Sequence, residues 1–153
     1  MKILLMSDSH GNKKAIYRAI ENELPELVLH LGDHNYDCSD AIQSYPEITF
    51  RTVRGNCDRF SPELETDEFT INDMRFIMTH GNLFGVKTGY SRIISFAAAR
   101  NANVLLFGHT HIPYYSVIEG LTVINPGSVG MDKKTYAVLQ CCDGVLSCEH
   151  KHV

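Results

Sequence analysis

Five apolar runs in this sequence end in clusters of Asp, His, Asn and Gly, residue types that can hold divalent cations. The clusters are Ser7-Asp8-Ser9-His10-Gly11, Gly32-Asp33, Gly55-Asn56-Cys57-Asp58, His80-Gly81 and Gly108-His109-Thr110-His111. Asp8 and His10 are two residues apart, as are His109 and His111. Residues i and i+2 of an extended chain project to the same side, so each pair can offer two ligands to one ion. Imidazole, carboxylate and amide oxygen, with no Cys-x-x-Cys, suit Mn²⁺, Fe, Ni²⁺, Co²⁺ or Zn²⁺ and disfavour a structural thiolate zinc site. Taken singly, each cluster has an ordinary explanation: Gly32-Asp33 as a helix cap with its turn, Asn56 as a turn residue, His80 as a capped strand end. Their conjunction, each at the end of an apolar run, points to a metal centre.

The elements that must position these residues follow from periodicity. Residues 3–6 form an apolar strand, and Ala15, Ile16, Ala19, Ile20 and Leu24 recur at helical spacing until Pro25 stops the helix. A second strand covers residues 27–31, a weaker helix residues 39–44, and a third strand residues 48–53. Strands alternating with helices predict a parallel α/β sheet, whose ligands bind at the carboxyl ends of the strands. The second half reads as a hairpin of residues 68–71 and 75–79 around Asn72-Asp73-Met74, a helix over residues 90–100 and a strand at 104–107. Short strands follow at 114–118, 121–124, 136–141 and 145–149, joined at Gly120, Asn125-Pro126-Gly127-Ser128 and Asp143-Gly144. No repeat or linker divides the chain, so one domain over residues 1–153, with two packed sheets and helices outside, is the economical arrangement.

Composition narrows the function classes. The 153 residues carry 18 acids and 14 bases, a net charge of −4, which leaves no basic excess for a nucleic-acid backbone. No basic leader and no apolar run of membrane-spanning length is evident, so a cytoplasmic protein with no membrane partner is expected. The five cysteines are odd in number and argue against a disulfide framework. Eight histidines are the conspicuous excess, and four of them fall in the clusters above.

The motif series resembles that of the calcineurin-like metallophosphoesterases, in particular their small bacterial and archaeal phosphodiesterase branch. The likeness runs from Lys2 to beyond the Asn125-Pro126-Gly127-Ser128 turn. It implies an α/β fold, a four-layer α/β/β/α sandwich of the metallo-dependent phosphatase type, with two divalent metal ions, Mn²⁺ foremost, between the strand ends. By this resemblance Asp8, His10 and His111 bind one metal, Asn56, His80 and His109 bind the other, and Asp33 bridges them. Asp8, Asp33, Asn56, Asp58 and His109 are then the catalytic set, and the implied reaction is attack of a metal-bridging hydroxide on a small phosphodiester. Two dications partly offset by two carboxylates still attract an anionic phosphate, so a chain charge of −4 is no obstacle.

One departure from the wider family stands out. Cys57 occupies the place where many members carry a His near the leaving-group oxygen, and loss of a general acid costs about 10²–10⁴-fold for a poor leaving group. The small branch shares this Cys, which favours diesters or esters with good leaving groups. Asp58 reads either as a carboxylate that orients a ligand or water, or as the cap of its turn. His34 is expected in a solvated loop or facing the phosphate, His30 as a hydrogen-bonded core residue, and His150 and His152 in an exposed tail. Asn12 either contacts substrate or caps the helix near Lys13. Alternatives within the same fold are a phosphomonoesterase, a nuclease, or a non-catalytic retromer-like scaffold; Tyr114, Tyr115 and Phe96 could serve a homo-oligomer contact or the core.

Overall fold

The computed structural model describes residues 1–142 and 144–153. Of the expected Asp143-Gly144 turn, Asp143 lies outside the described residues. The first half builds β1 (Lys2–Met6), α1 (Lys13–Glu23), β2 (Leu27–His30), α2 (Ser39–Ser44) and β3 (Thr49–Thr52). The second half adds β4 (Thr66–Ile71), β5 (Met74–Thr79), α3 (Ser91–Ala98), β6 (Val104–Phe107), β7 (Pro113–Ile118), β8 (Leu121–Pro126), β9 (Thr135–Cys142) and β10 (Val145–His152).

Two five-stranded sheets result, in the orders β10-β9-β1-β2-β3 and β4-β5-β6-β8-β7. In the first, β1, β2 and β3 are parallel and β9 returns antiparallel beside β1. In the second, β5, β6 and β8 are parallel, with β4 and β7 antiparallel at the edges.

The burial pattern explains the layering. Ile3 and Leu5 of β1 point between the sheets, against Leu29, Phe76, Met78 and Leu106, while Leu4 and Met6 point outward onto Ala15, Ile16, Ala19 and Ile20 of α1. On the other side Ile77, Leu105 and Phe107 face Ile93 and Ala97 of α3. Sheets covered on both faces need strands apolar at every position, as in β6, where all four residues are buried. The outcome is the expected helix, sheet, sheet, helix stack.

Local chemistry sets the boundaries. Asn12 caps α1, its side chain accepting from the Ala15 N–H at 3.2 Å, and the helix ends at Leu24 in the left-handed region (φ 47°), just before Pro25. Asn12 is thus the cap among the two roles foreseen for it. Asn72 and Asp73 both have positive φ, the geometry of a tight primed turn, and Met74 already belongs to β5. The last strand differs most from expectation. β10 extends to His152 because β9 begins at Thr135 and offers pairing partners along its whole length. His150 is therefore half-buried in a strand, donating from Nε2 to the Asn125 carbonyl of the other sheet at 2.7 Å. His152 is exposed as expected, with Nδ1 bonded to the Lys133 carbonyl at 2.9 Å. Among the described residues no helix is long and apolar enough to cross a membrane.

Candidate metal centre

The ligand-type residues follow the carboxyl ends of strands in both sheets. Asp8 and His10 follow β1, Asp33 follows β2 and Asn56 follows β3; His80 directly follows β5, and His109 and His111 follow β6. The i, i+2 pairs meet for a reason other than strand alternation. Asp8, His10, His109 and His111 all lie beyond the strands with left-handed backbones, φ between 44° and 68°, and Asp33 and His34 share this conformation. A left-handed non-glycine residue costs free energy, and such positions concentrate at functional sites.

Three groups of ligand atoms form among the described residues, two of them drawing on both sheets. Asp8, His10 and His111 make one of those two, and Asp33, His80 and His109 the other, with ligand atoms within 4.8 Å of one another in each. In the first, Asp8 Oδ1 lies 3.1 Å from His111 Nε2 and 3.8 Å from His10 Nε2, and those two nitrogens are 3.4 Å apart. In the second, His80 Nε2 is 3.0 Å from His109 Nδ1 and 3.5 Å from Asp33 Oδ2. The same Asp33 oxygen is 4.0 Å from His10 Nε2, so it reaches both clusters.

The donor set fits cations. His80 Nδ1 donates to the Leu31 carbonyl at 2.8 Å, and His111 Nδ1 donates to Asp132 at 2.8 Å. In the neutral rings the inward Nε2 atoms therefore carry lone pairs, aimed at carboxylate oxygens and at other imidazoles. Acceptors facing acceptors repel unless positive charge lies among them. Separations of 3.0–4.0 Å are those of atoms about 2.0–2.2 Å from a shared ion.

The local field is correspondingly steep. Burial acts to raise the pKa values of Asp8 and Asp33, but the histidines outweigh it and hold both carboxyls below the usual range. Without a cation between them, protonation supplies the positive charge: His111 is pushed up to about 9, chiefly by the hydrogen bond that its protonated Nε2 donates to Asp8 and further by Asp132. Burial and the neighbouring His80 push His109 down to about 4.

Asn56 and Cys57 sit exposed on the turn after β3, with Asn56 Nδ2 3.4 Å from Cys57 Sγ. The Cys57 N–H donates to Asp33 Oδ1 at 2.8 Å, and its thiol groups with His10 and Asp33. The turn is pressed against Asp33: a Cβ on Gly55 would collide with the Asp33 carboxylate. Asp58 is buried, accepting from the Gly55 N–H at 2.8 Å and the Asn35 N–H at 3.1 Å, so it clamps this turn to the loop after β2. Both of its oxygens serve the backbone, which favours the capping reading over a direct part in chemistry. His34 is half-buried, its ring 5.2 Å from His10 and its Nδ1 2.8 Å from the Tyr36 hydroxyl. His30 is fully buried but only half satisfied: Nδ1 accepts from the Gly32 N–H at 3.3 Å, whereas Nε2 has no partner. Burial pushes it down to about 4 and keeps it neutral.

Several supporting residues carried no sequence signal as such. Asp132 orients His111 from 21 positions away, and no periodicity connects the two. Buried Asp37 accepts from Ser9 Oγ at 2.8 Å and the Gly11 N–H at 2.7 Å, shaping the first loop. Asn125 and Ser128 lay in a recognised turn motif whose purpose was not evident. Asn125 Nδ2 donates to the Gly108 carbonyl at 2.9 Å and Ser128 Oγ to the Asp8 carbonyl at 2.8 Å, tying the turn to ligand loops of both sheets.

Comparison with known proteins defines the class. The profile of the calcineurin-like phosphoesterase superfamily domain matches residues 1–144. The chain belongs to this superfamily of metal-dependent phosphoric ester hydrolases. It is 30% identical over 146 residues to a Bacillus subtilis protein named "Probable metallophosphoesterase YsnB", covering 91% of this chain and 83% of that one. It is 27% identical over 157 residues to the phosphodiesterase YfcE of Escherichia coli, covering 87% and 82%. Among solved structures, Vps29 of Entamoeba histolytica complexed with zinc superposes with a TM-score of 0.79 at 18% identity, covering 99% of this chain and 98% of that one. At that identity the likeness concerns the fold.

Proposed function

We propose that the chain is a phosphodiesterase that uses two divalent cations to hydrolyse small phosphodiesters. The observation that carries this reading is the convergence of Asp8, His10, Asp33, His80, His109 and His111 lone pairs, with one Asp33 oxygen in reach of both clusters. Asp8, His10 and His111 would hold one cation, and His80, His109 and Asn56 the other, with Asp33 shared. Bound there, the cations supply Lewis-acid activation of water and charge for the phosphoryl oxygens.

The chain's own residues do the rest. Leu31 and Asp132 fix the rings of His80 and His111 so that Nε2 faces inward, the arrangement that keeps an imidazole ligand aligned. The backbone at Cys57 steadies Asp33, and Asp58 steadies that backbone. Cys57 stands beside the cluster where a His would supply a leaving group with its proton, so substrates whose leaving oxygen needs little help are favoured. Manganese is the proposed resident metal on the oxygen and imidazole character of the set.

The test is to strip the protein with chelator and reload it with Mn²⁺, Ni²⁺, Mg²⁺ or Zn²⁺, then screen mono- and diesters. Turnover of bis(4-nitrophenyl) phosphate exceeding that of an alkyl monoester, lost on chelation and regained with Mn²⁺, is expected. A protein that takes up no metal and hydrolyses neither class would overturn the reading and favour a scaffold of the Vps29 shape.

A further inference from the structure

A cleft of about 470 Å³ opens at Cys57, beside the metal centre, and runs between two segments that the proposed chemistry leaves unused. One wall is Tyr36 with Ile42 of α2, and the other is Phe60 with Pro62 on the loop after β3. Its size lies in the range of small-molecule sites. The wall residues are unusually bare: Phe60 is 101% exposed, Tyr36 57% and Ile42 45%. Large apolar side chains so placed at the mouth of a polar centre are unfavourably hydrated, and a ligand that covers them gains the free energy of removing that surface from water.

The base of the cleft is built and rigid. Asn35 is buried, its side chain donating to Ser61 Oγ at 2.9 Å and its N–H to Asp58 at 3.1 Å, so both walls are locked to the same carboxylate. A row of rings joins cleft to centre: His10 and His34 have centroids 5.2 Å apart, His34 and Tyr36 5.3 Å. The remaining lining is polar, with Ser39, Thr52, Arg59 and Glu63 interleaved among the apolar residues. Among the described residues Arg59 forms no ion pair.

This mixture selects an occupant. An acyl chain would satisfy the aromatic walls but strip water from Ser39, Thr52, Arg59 and Glu63 without replacing it, which buried polar groups do not tolerate cheaply. A bare glycerol arm would leave Phe60 and Tyr36 uncovered. A planar heterocycle does both, stacking its faces on aromatic rings and pairing its edge with polar groups and a guanidinium. The geometry points to a nucleoside subsite: the cleft receives the nucleoside arm of a phosphodiester whose phosphoryl group sits at the metal centre. This rests on the phosphodiesterase reading and sharpens it, from small diesters in general to nucleoside-bearing ones.

The test separates the two claims. Isotope-labelled protein is titrated with adenosine, which has no phosphate and owes nothing to the cations. Saturable amide shifts confined to residues 35–42 and 52–63 are expected. Phe60→Ala should weaken binding about 10-fold, the loss typical of one stacking ring, and Ile42→Trp, which fills the cleft, should abolish it. Val117→Ala, on the exposed edge of β7, should change nothing. In the turnover arm, kcat/KM for adenosine 2′,3′-cyclic phosphate should exceed that for glycerol 1,2-cyclic phosphate at least 10-fold, and Phe60→Ala should bring the ratio toward one. Both substrates are five-membered cyclic diesters, so the ratio isolates the nucleoside. Scattered or non-saturating shifts, or a ratio untouched by Phe60→Ala, would overturn the cleft assignment while diester turnover persists. Absence of turnover with every ester would refute the phosphodiesterase reading and, with it, the role of the cleft in that reaction.

Discussion

Asp33 and Glu23 are both buried carboxylates held below the usual range, yet they are satisfied in opposite ways. Glu23, at the end of α1, faces donors: the Tyr136 hydroxyl at 2.9 Å and Lys151 Nζ at 3.1 Å. Burial acts to raise its pKa, and these partners outweigh burial. Asp33 faces His80, whose Nδ1–H is spent on the Leu31 carbonyl and whose Nε2, 3.5 Å away, offsets the acid only with a proton or a cation upon it. The first arrangement is closed and its contribution goes to stability. The second is open to positive charge from outside, and in the proposed function its contribution goes to binding. A buried acid is thus structural or functional according to where its counter-charge comes from.

Substitutions can break this contrast. The largest effect is expected from Asp33→Asn or His80→Gln, which should abolish diester turnover and metal uptake while the metal-free protein keeps its thermal stability. Calorimetry alongside metal analysis checks this, and near-normal turnover in either variant would contradict the ligand assignment. Next, Cys57→His should raise the rate on alkyl monoesters relative to diesters by about 10²-fold or more, the lower end of general-acid effects. An unchanged ratio means that position 57 does not reach the leaving group. Asp132→Asn keeps shape but weakens the hold on His111, and metal affinity should fall about 10–100-fold; competition with a chelator measures it.

Glu23→Gln should leave metal affinity alone and cost about 1.5–3 kcal/mol of stability, seen as a fall in Tm of about 5 °C. Its pH signature follows from the sign of the shift. The folded-state pKa of Glu23 is below the ordinary 4.5, so its contribution is present above that value and lost as pH falls through the lower folded one. Wild type should therefore lose stability more steeply than Glu23→Gln between about pH 5 and 3. Parallel acid limbs would show that Lys151 and Tyr136 do not stabilise the ionised form.

The sequence made the architecture largely readable because apolar periodicity is local: the helix over 39–44 and the strand over 104–107 have the expected bounds, and the hairpin turn is misplaced by one residue. The clusters at strand ends were legible for the same reason, since parallel α/β topology brings carboxyl ends together. What escaped was everything fixed by contacts distant in sequence. Asp132 reaches His111 across 21 residues, Asn125 meets Gly108 and His150 from another sheet, and Asp58 spends itself on two backbone N–H groups. The pairing of Asp8 with His10 was foreseen for a strand-like reason, whereas left-handed backbone beyond the strand accomplishes it. Side-chain type announces what chemistry is available, and partner geometry decides how it is used.

The two clusters of the candidate metal centre take ligand-type residues from both sheets, Asp8 and His10 with His111, and Asp33 with His80 and His109. The layer of Ile3, Leu29, Phe76 and Leu106 between the sheets consequently works as a ruler for the gap that the proposed cations would bridge. Sliding or swelling of that apolar layer changes ligand spacing without touching a ligand, so a conservative exchange such as Leu106→Ile can retune which cation fits best.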